Sequence, residues 1–242
     1  YSIVLRRASI IFVGTERGKW EVCHYYGIDP ERVHVVRLPC ERAEPVEVSP
    51  RRIPGLLLYP AQFWPHKNHL TLLKSVGHLV DSGVDVRLVL TGSDKGFKRN
   101  LEEYVRIHDL GKWVDFRGFV SREELRELYQ QAELLIFPSL FGPDNLPPLE
   151  AMSWGLPVVA ADVPGAREQL GEAAWLFDAL DDLALAETIK WLLANPTAMG
   201  ELAQYGLDLV EQRTSQIYVS SCIDVIEDLS PAIKIREHIH PK

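Results

Sequence analysis

The sequence lacks any apolar run that approaches the roughly 20 residues needed for a membrane-spanning helix. It also lacks the basic and apolar regions that make up a secretory signal. Positive charge is scarce, because 26 Lys and Arg residues against 34 Asp and Glu residues leave a net charge of −8. A nucleic-acid partner is therefore not expected, since phosphate binding requires a basic surface.

Cysteine is also rare. Cys23, Cys40 and Cys222 are scattered and odd in number, with no CxxC spacing, so neither a disulfide framework nor a zinc site is indicated. Reduced, buried thiols in a cytoplasmic protein are the expectation. His66 and His69 stand three residues apart with no further ligand nearby, which is a weak metal signal. We expect packed or surface histidines there.

Strand and helix signals alternate along the 242 residues, which predicts an α/β fold with a Rossmann-like parallel sheet flanked by helices. The sequence begins at Tyr1 rather than methionine, so we expect a fragment of a longer protein. The predicted strands are Ile10–Val13, Val33–Leu38, Gly55–Tyr59, Val86–Thr91, Val114–Arg117, Leu134–Phe137, Val158–Ala161 and Ala174–Phe177. The predicted helices are Arg17–Tyr26, Leu70–Ser82, Lys98–His108, Arg122–Ala132, Pro147–Trp154, Leu183–Ala194, Thr197–Glu211 and Gln216–Leu229.

The most informative stretch runs from Phe137 to Val159 and reads FPSLFGPDNLPPLEAMSWGLPVV. It predicts a strand end, a turn and a short helix. Pro147 suits the start of that helix, and Gly155 suits its end. Glu150 is then expected in about the first turn, beside backbone N–H groups that have no helical partner. Such a place at the carboxyl end of a strand is typical of anion-binding sites in α/β sheets.

This stretch resembles the signature of retaining, nucleotide-sugar-dependent glycosyltransferases of family 4, which have the two-domain GT-B architecture. Their pattern places two glutamates eight positions apart within a phrase similar to EGFGLPxLEAMxxGxPVV. Glu150 matches the second glutamate, whereas Gly142 occupies the position of the first. The other matching positions are Leu146, Pro147, Leu149, Ala151, Met152, Gly155, Pro157, Val158 and Val159.

The resemblance covers nearly the whole chain and implies the C-terminal half of a GT-B fold. Residues 1–40 then correspond to the tail end of the N-terminal acceptor domain and its crossover. Residues 41–54, charged and with three prolines, form a linker or loop. Residues 55–229 form the nucleotide-sugar-binding domain, and residues 230–242 form a C-terminal tail. Most of the acceptor domain would be missing from this chain.

Lys67 matches a family lysine that neutralises the donor diphosphate, and the resemblance implies a catalytic role for it. The arginine that the family usually places six residues earlier is replaced by Ala61. A lysine acts on phosphate as a point charge, so Lys67 could serve alone. A solvated lysine at a helix start remains the alternative.

Two further turns are implied to contact the nucleotide. Gly92 and Ser93 follow a predicted strand, where glycine permits close approach to a ligand and serine offers a hydroxyl. A plain surface turn explains the same residues. The family also seats the base against the backbone near Phe119 and Val120, whereas the next residues are accounted for by a helix-capping box.

Glu150 matches the glutamate that accepts hydrogen bonds from the ribose hydroxyls, and we assign it a catalytic and nucleotide-binding role. Its alternative is an acidic side chain that offsets the helix dipole. Asp144, Asn145 and Leu146 precede it, and their N–H groups are expected to face the β-phosphate or the sugar. Asn145 alternatively serves as an N-cap. Asp144 is a hypothetical replacement for the missing glutamate at Gly142.

These matches imply transfer of a hexose-type sugar from a nucleoside diphosphate to a glycan or lipid-linked acceptor. No acidic DxD-type pair stands out, so neither a metal nor another cofactor is expected. A peripheral membrane contact through the missing domain stays open. Because Ala61 and Gly142 depart from the pattern, a catalytically inactive nucleotide-binding or scaffold domain is the alternative function. A sugar-nucleotide epimerase of the same fold is a further alternative without support in these phrases.

Overall fold

A computed structural model describes residues 2–43, 52–142 and 144–239 of the chain. The strands are β1 Ile11–Val13, β2 Val33–Val35, β3 Leu56–Pro60, β4 Arg87–Thr91, β5 Val114–Gly118, β6 Leu134–Phe137, β7 Val158–Ala161 and β8 Trp175–Phe177. The helices are α1 Ser2–Arg7, α2 Glu16–Tyr26, α3 His69–Asp81, α4 Lys98–Ile107, α5 Arg122–Gln131, α6 Leu146–Ser153, α7 Ala166–Leu170, α8 Asp182–Leu193, α9 Pro196–Glu211 and α10 Ser215–Ile239. Short 3₁₀ turns lie at Pro30–Arg32, Pro65–Lys67, Leu110–Lys112 and Gly171–Ala173.

Six strands form one parallel sheet in the order β5-β4-β3-β6-β7-β8, and β1 pairs with β2 in a separate two-stranded sheet. Every residue of β6 and β7 is buried, and so are the first four residues of β3. Such continuous apolar strands are expected in a parallel sheet that is covered on both faces. The predicted fold class, an α/β fold with a parallel sheet and flanking helices, is confirmed.

The strand order places a topological switch point between β3 and β6. The chain proceeds from β3 outward through β4 and β5, and from β6 outward in the opposite direction through β7 and β8. The connections that leave β3 and β6 therefore diverge, which opens a crevice at their carboxyl ends. Ligands of open α/β sheets bind in such crevices.

The helices differ from the predictions in three places. Helices α1 and α7 were not predicted, because elements of six and five residues are too short to show a helical period. Helix α10 continues to Ile239 instead of ending at Leu229. Pro231 lies within it, and a proline removes one helical hydrogen bond while the next turn can still form. Residues 230–239 of the predicted tail are therefore helical.

Other predicted elements agree to within three residues at each end. The predicted strand Val33–Leu38 is shorter, and ends at Val35. Residues 44–51 of the predicted linker and residues 240–242 of the tail lie outside the described residues. The domain boundaries themselves stay predictions. Across the three described ranges, no helix is both long and apolar enough to cross a membrane.

Candidate active site

Lys67 lies at the switch point. The 3₁₀ turn that carries it follows β3, and its Nζ lies 3.3 Å from the Oγ of Ser139, a buried residue that follows β6. The ring of Phe137 is 5.5 Å away. Burial lowers the pKa of the Lys67 ammonium group, and no carboxylate in the described part of the chain pairs with it. A partly desolvated cation without a counter-charge suits an anionic ligand.

Main-chain contacts hold this lysine in place. The Tyr59 hydroxyl donates a 2.8 Å hydrogen bond to the Lys67 carbonyl. Asn68 has a left-handed backbone with φ of 56°, and its amide donates to the carbonyls of Pro138 and Ala179 at 3.0 and 2.7 Å. These bonds join the turn after β3 to the segments after β6 and β8. Sequence reasoning missed Asn68, although asparagine is among the residues that best tolerate a left-handed backbone.

His69 is fully buried next to this turn. Its ring centroid lies 4.7 Å from that of Tyr59 and 5.0 Å from that of Phe63. Burial lowers the pKa of His69 to about 4, and the charge of Lys67 adds to the shift. His66 is exposed and stacks near Trp64 at 6.2 Å. Within the residues described by the structure, no group of three or more His, Cys, Asp or Glu side chains could hold a metal ion.

We expect the buried His69 to make the chain sensitive to acid. Its pKa is about 4 when folded and near the ordinary 6.5 when unfolded, so the unfolded state binds more protons between these values. Stability should be fully present above pH 6.5 and fall by up to about 3 kcal/mol as the pH drops toward 4. Urea unfolding at several pH values measures this slope.

The matched variants are His69→Leu, which removes the buried imidazole, and His108→Leu, which removes an exposed one. The slope between pH 6.5 and 4 should flatten only in the first variant. An unchanged slope in His69→Leu would contradict the assignment.

Gly92 marks a close approach between two backbones. Its φ is 145°, and an added Cβ would lie 2.2 Å from the carbonyl oxygen of Ala61. The Gly92 N–H donates to the Gly118 carbonyl at 2.7 Å, and the Phe63 N–H donates to the Ser93 carbonyl at 3.0 Å. The turn after β4 therefore supports the segment that leads to Lys67. Direct contact of Gly92 and Ser93 with a nucleotide stays a prediction.

Phe119 is 83% exposed at the carboxyl end of β5, directly after Gly118 with φ of 67°. Val120 is half-buried beside it. The predicted capping box is confirmed, since Ser121 and Glu124 exchange hydrogen bonds of 2.8 and 3.1 Å. The Phe119 ring is therefore free to contact a ligand, and base binding at Phe119 and Val120 stays a prediction.

Glu150 lies in the second turn of α6, as its fifth residue, and not in the first turn. The helix begins at Leu146, one residue before the proline that was expected to open it. The exposed Glu150 carboxylate accepts a 2.8 Å hydrogen bond from the buried hydroxyl of Tyr129 on α5. Burial and the Glu150 charge raise the pKa of the Tyr129 hydroxyl well above its ordinary value, and the same two causes raise the pKa of the Cys40 thiol to about 11.

The loop before α6 differs from the prediction in one respect. The Asn145 N–H does not face an open site, because it donates a 3.0 Å hydrogen bond to Oε1 of Gln169. Asn145 occupies the N-cap position, but its side chain makes no cap bond. Such a bond needs an N–H on the second or third helical residue, and both are prolines, Pro147 and Pro148. Leu146 is 46% exposed at the helix start.

Asp144 and Gly142 complete this loop. The Asp144 carboxylate accepts from the Gly14 N–H at 3.3 Å, and burial raises the pKa of Asp144. Gly142 has φ of 134°, and a Cβ built on it would lie 2.4 Å from Oδ1 of Asn145. A side chain at the position of the family's first glutamate would be strained by this φ and would require the Asn145 side chain to shift.

The N-terminal segment packs against the same loops. The Glu168 carboxylate accepts from the N–H groups of Glu16 and Arg17 at 2.6 and 3.2 Å, and pairs with Arg37 at 3.0 Å. A cleft of about 570 Å³ lies between α2 and the loops after β6 and β7, with Asp144 in its wall. Sequence reasoning missed Glu168, because its partners are 131 to 152 residues away along the chain.

The parallel strands bring most candidate residues to one edge of the sheet. Lys67, Gly92, Phe119 and the loop before α6 follow β3, β4, β5 and β6 at their carboxyl ends. Glu150 lies further along α6 and bonds to Tyr129, whereas Lys67 bonds to Ser139. The arrangement offers a positive charge at the switch point and a carboxylate on the following helix.

The fold is a parallel-sheet α/β domain whose candidate residues lie at the edge that contains the switch point, and the family comparison makes the class specific. Residues 47–208 match the family described as glycosyl transferases group 1, and the chain belongs to that family. Its solved structural neighbours are GT-B glycosyltransferases, which confirms the predicted architecture.

Two relatives illustrate the similarity in sequence. The O-antigen chain mannosyltransferase RfbU of Salmonella typhimurium is 26% identical over 198 residues, which cover 80% of this chain and 55% of the relative. A D-inositol 3-phosphate glycosyltransferase of Streptomyces bingchenggensis is 26% identical over 248 residues, which cover 90% of this chain and 54% of the relative. The chain thus spans about half the length of these relatives.

Two solved structures share the fold. Sucrose-phosphate synthase from Thermosynechococcus elongatus superposes with a TM-score of 0.80 at 22% identity, over 96% of this chain and 61% of that one. Anabaena Alr3699/HepE in complex with UDP-glucose gives a TM-score of 0.79 at 19% identity, over 95% of this chain and 65% of that one.

Proposed function

We propose that this chain is the donor-binding half of a retaining glycosyltransferase. It would bind a nucleoside diphosphate sugar and support transfer of a hexose-type sugar to a glycan or lipid-linked acceptor. The observation that carries the proposal is the position of Lys67 at the switch point of a parallel sheet. Its ammonium group is partly desolvated and has no carboxylate partner among the described residues. Retention of configuration rests on the family resemblance.

Each residue has a role that follows from its chemistry. Lys67 neutralises the diphosphate and stabilises the charge that develops on it as the sugar leaves. Glu150 accepts hydrogen bonds from the ribose hydroxyls, and the Tyr129 hydroxyl holds its carboxylate in place. Asp144 lies in the cleft beside the N-terminal segment, where it would contact the sugar. Positive charge comes from the protein, so the proposal includes no metal.

Several observations support this function over an inactive scaffold. The relatives named above are glycosyltransferases, and the HepE structure contains UDP-glucose. All three cysteines are free thiols and half-buried, not fully buried as expected, and we propose a cytoplasmic location on the basis of the reduced thiols. Since the chain spans about half of its relatives, we expect it to bind a nucleotide alone and to transfer sugar only with an acceptor domain.

Calorimetric titration of the chain with UDP, GDP, ADP and dTDP tests the proposal. One nucleotide should bind selectively, and Glu150→Ala should weaken its binding by about 10- to 100-fold, the usual worth of hydrogen bonds to a charged group. Glu150→Gln keeps an acceptor for Tyr129 and should lose less. A folded wild-type chain that binds none of the four nucleotides would contradict the proposal.

A further inference from the structure

Gln169 is a buried amide that clamps a single residue of the candidate site. It lies on α7 and is 2% exposed. Its Oε1 accepts from the Asn145 N–H at 3.0 Å, and its Nε2 donates to the Asn145 carbonyl at 3.0 Å. Both ends of the amide are therefore used on the backbone of one residue. Because a buried polar group is costly to leave unpaired, the pairing restricts both partners.

Gln169 is itself held by further hydrogen bonds. The buried guanidinium of Arg213 donates to the Gln169 carbonyl. The Arg213 carbonyl in turn accepts a 2.7 Å hydrogen bond from the Cys40 N–H. Gln169 is thus tied to the segment after α9 and, through it, to the crossover from the N-terminal segment. The position of Asn145 is set by parts of the chain distant in sequence.

The loop held by Gln169 has little local support of its own. Helix α6 begins Leu146-Pro147-Pro148, so the usual N-cap bond from the Asn145 side chain cannot form. The Asn145 side chain instead donates to the Gly142 carbonyl, within the same loop. Gln169 therefore ties the residue that precedes α6 to α7, in addition to the bond between the Gly14 N–H and Asp144 in the same loop.

We propose that Gln169 is a positioning residue, which holds Asp144–Leu146 against the diphosphate end of a bound nucleotide. This inference rests on the proposed function, because it assigns the loop to the diphosphate. The loop directly follows β6, the strand whose carboxyl end also supplies Ser139 to Lys67. Loss of the clamp should therefore affect phosphate binding more than binding of the remainder of the nucleotide.

The test compares wild type with Gln169→Leu, which keeps the volume and removes both hydrogen bonds. Hydrogen exchange without ligand measures how well the hydrogen bond to Gln169 protects the Asn145 backbone N–H. This N–H should exchange at least about tenfold faster in the variant. Calorimetry then compares the preferred nucleoside diphosphate with its monophosphate. The diphosphate should bind about tenfold more weakly, and the monophosphate should change less than about twofold.

Two further variants keep the inference falsifiable. Gln169→Glu retains an acceptor for the Asn145 N–H, so it should show an intermediate loss and serves where the leucine variant does not fold. Gln204→Leu removes an exposed amide on α9 that donates to Asp208, and it should leave both affinities unchanged. Equal weakening of diphosphate and monophosphate would overturn the positioning role, as would an Asn145 amide that stays protected. Fast exchange in the variant, with no nucleotide bound by wild type, would overturn the proposed function separately.

Discussion

Replacing Lys67 with methionine is expected to weaken nucleoside diphosphate binding by at least about 100-fold while the melting temperature stays the same or rises. The charge of Lys67 lies at the switch point without a carboxylate partner among the described residues. Burial disfavours its charged form, as the lowered pKa shows, so the folded state loses little without it. Methionine keeps the apolar stem that packs near Phe137. Calorimetry and thermal unfolding measure the two effects.

The control for this experiment is Lys74→Met. Lys74 lies on α3, its side chain is 44% exposed, and its ammonium group is 3.9 Å from Asp182, so it already has a carboxylate partner. Its removal takes away the same charge and should leave nucleotide affinity within about twofold, since separated exposed charges are screened by salt. An equal loss of nucleotide affinity in both variants would mean that the net charge of the protein sets the affinity. Direct contact between Lys67 and the diphosphate would then be contradicted. A Lys67→Met chain that unfolds would point to a structural role.

A Gly92→Ala substitution is expected to destabilise the chain by about 3 kcal/mol or more and to weaken nucleotide binding as well. The φ of 145° is rarely adopted by residues with a side chain, and the new Cβ would lie 2.2 Å from the Ala61 carbonyl oxygen. The backbone of Ala61 would have to move, and with it the segment that leads to Lys67. Urea unfolding gives the loss of stability, and calorimetry gives the loss of affinity.

Gly77→Ala is the matched control, because an added Cβ there meets nothing within 4 Å. Gly77 lies inside α3, where alanine is favoured over glycine by about 1 kcal/mol. The two variants should therefore shift the free energy of unfolding in opposite directions. Similar small effects in both would refute the close approach of Gly92 to Ala61.

The two departures from the family pattern have local structural partners. Ala61 stands where the family's arginine is expected, and its carbonyl packs against Gly92. Gly142 stands where the first glutamate is expected, in a backbone conformation that favours glycine, with the Asn145 side chain filling the space beside it. Each departure thus has a specific neighbour in the structure, which weakens the argument that they mark a decayed site.

Local sequence predicted the elements because their signals lie within a few residues. The predicted ranges of β6 and β7 are the same as those in the structure. Both strands are buried and continuously apolar, so their ends coincide with the ends of the apolar runs. Short elements such as α7 were missed, because five residues carry no period. Glu150, expected in about the first turn of its helix, is the fifth residue of α6, because the helix begins one residue before the predicted start.

The sequence by itself determined the fold class, the family and the set of residues at the carboxyl edge of the sheet. The fold class follows from the alternation of strand and helix signals, and the family and the residues follow from the resemblance carried by the contiguous phrase around Glu150. Only the tertiary structure decided which groups those residues meet: Ser139 for Lys67, Tyr129 for Glu150, and Gln169 for Asn145. Their partners lie 21 to 72 positions away along the chain. Such pairings depend on how strands and helices pack against one another, and local sequence patterns do not predict that packing.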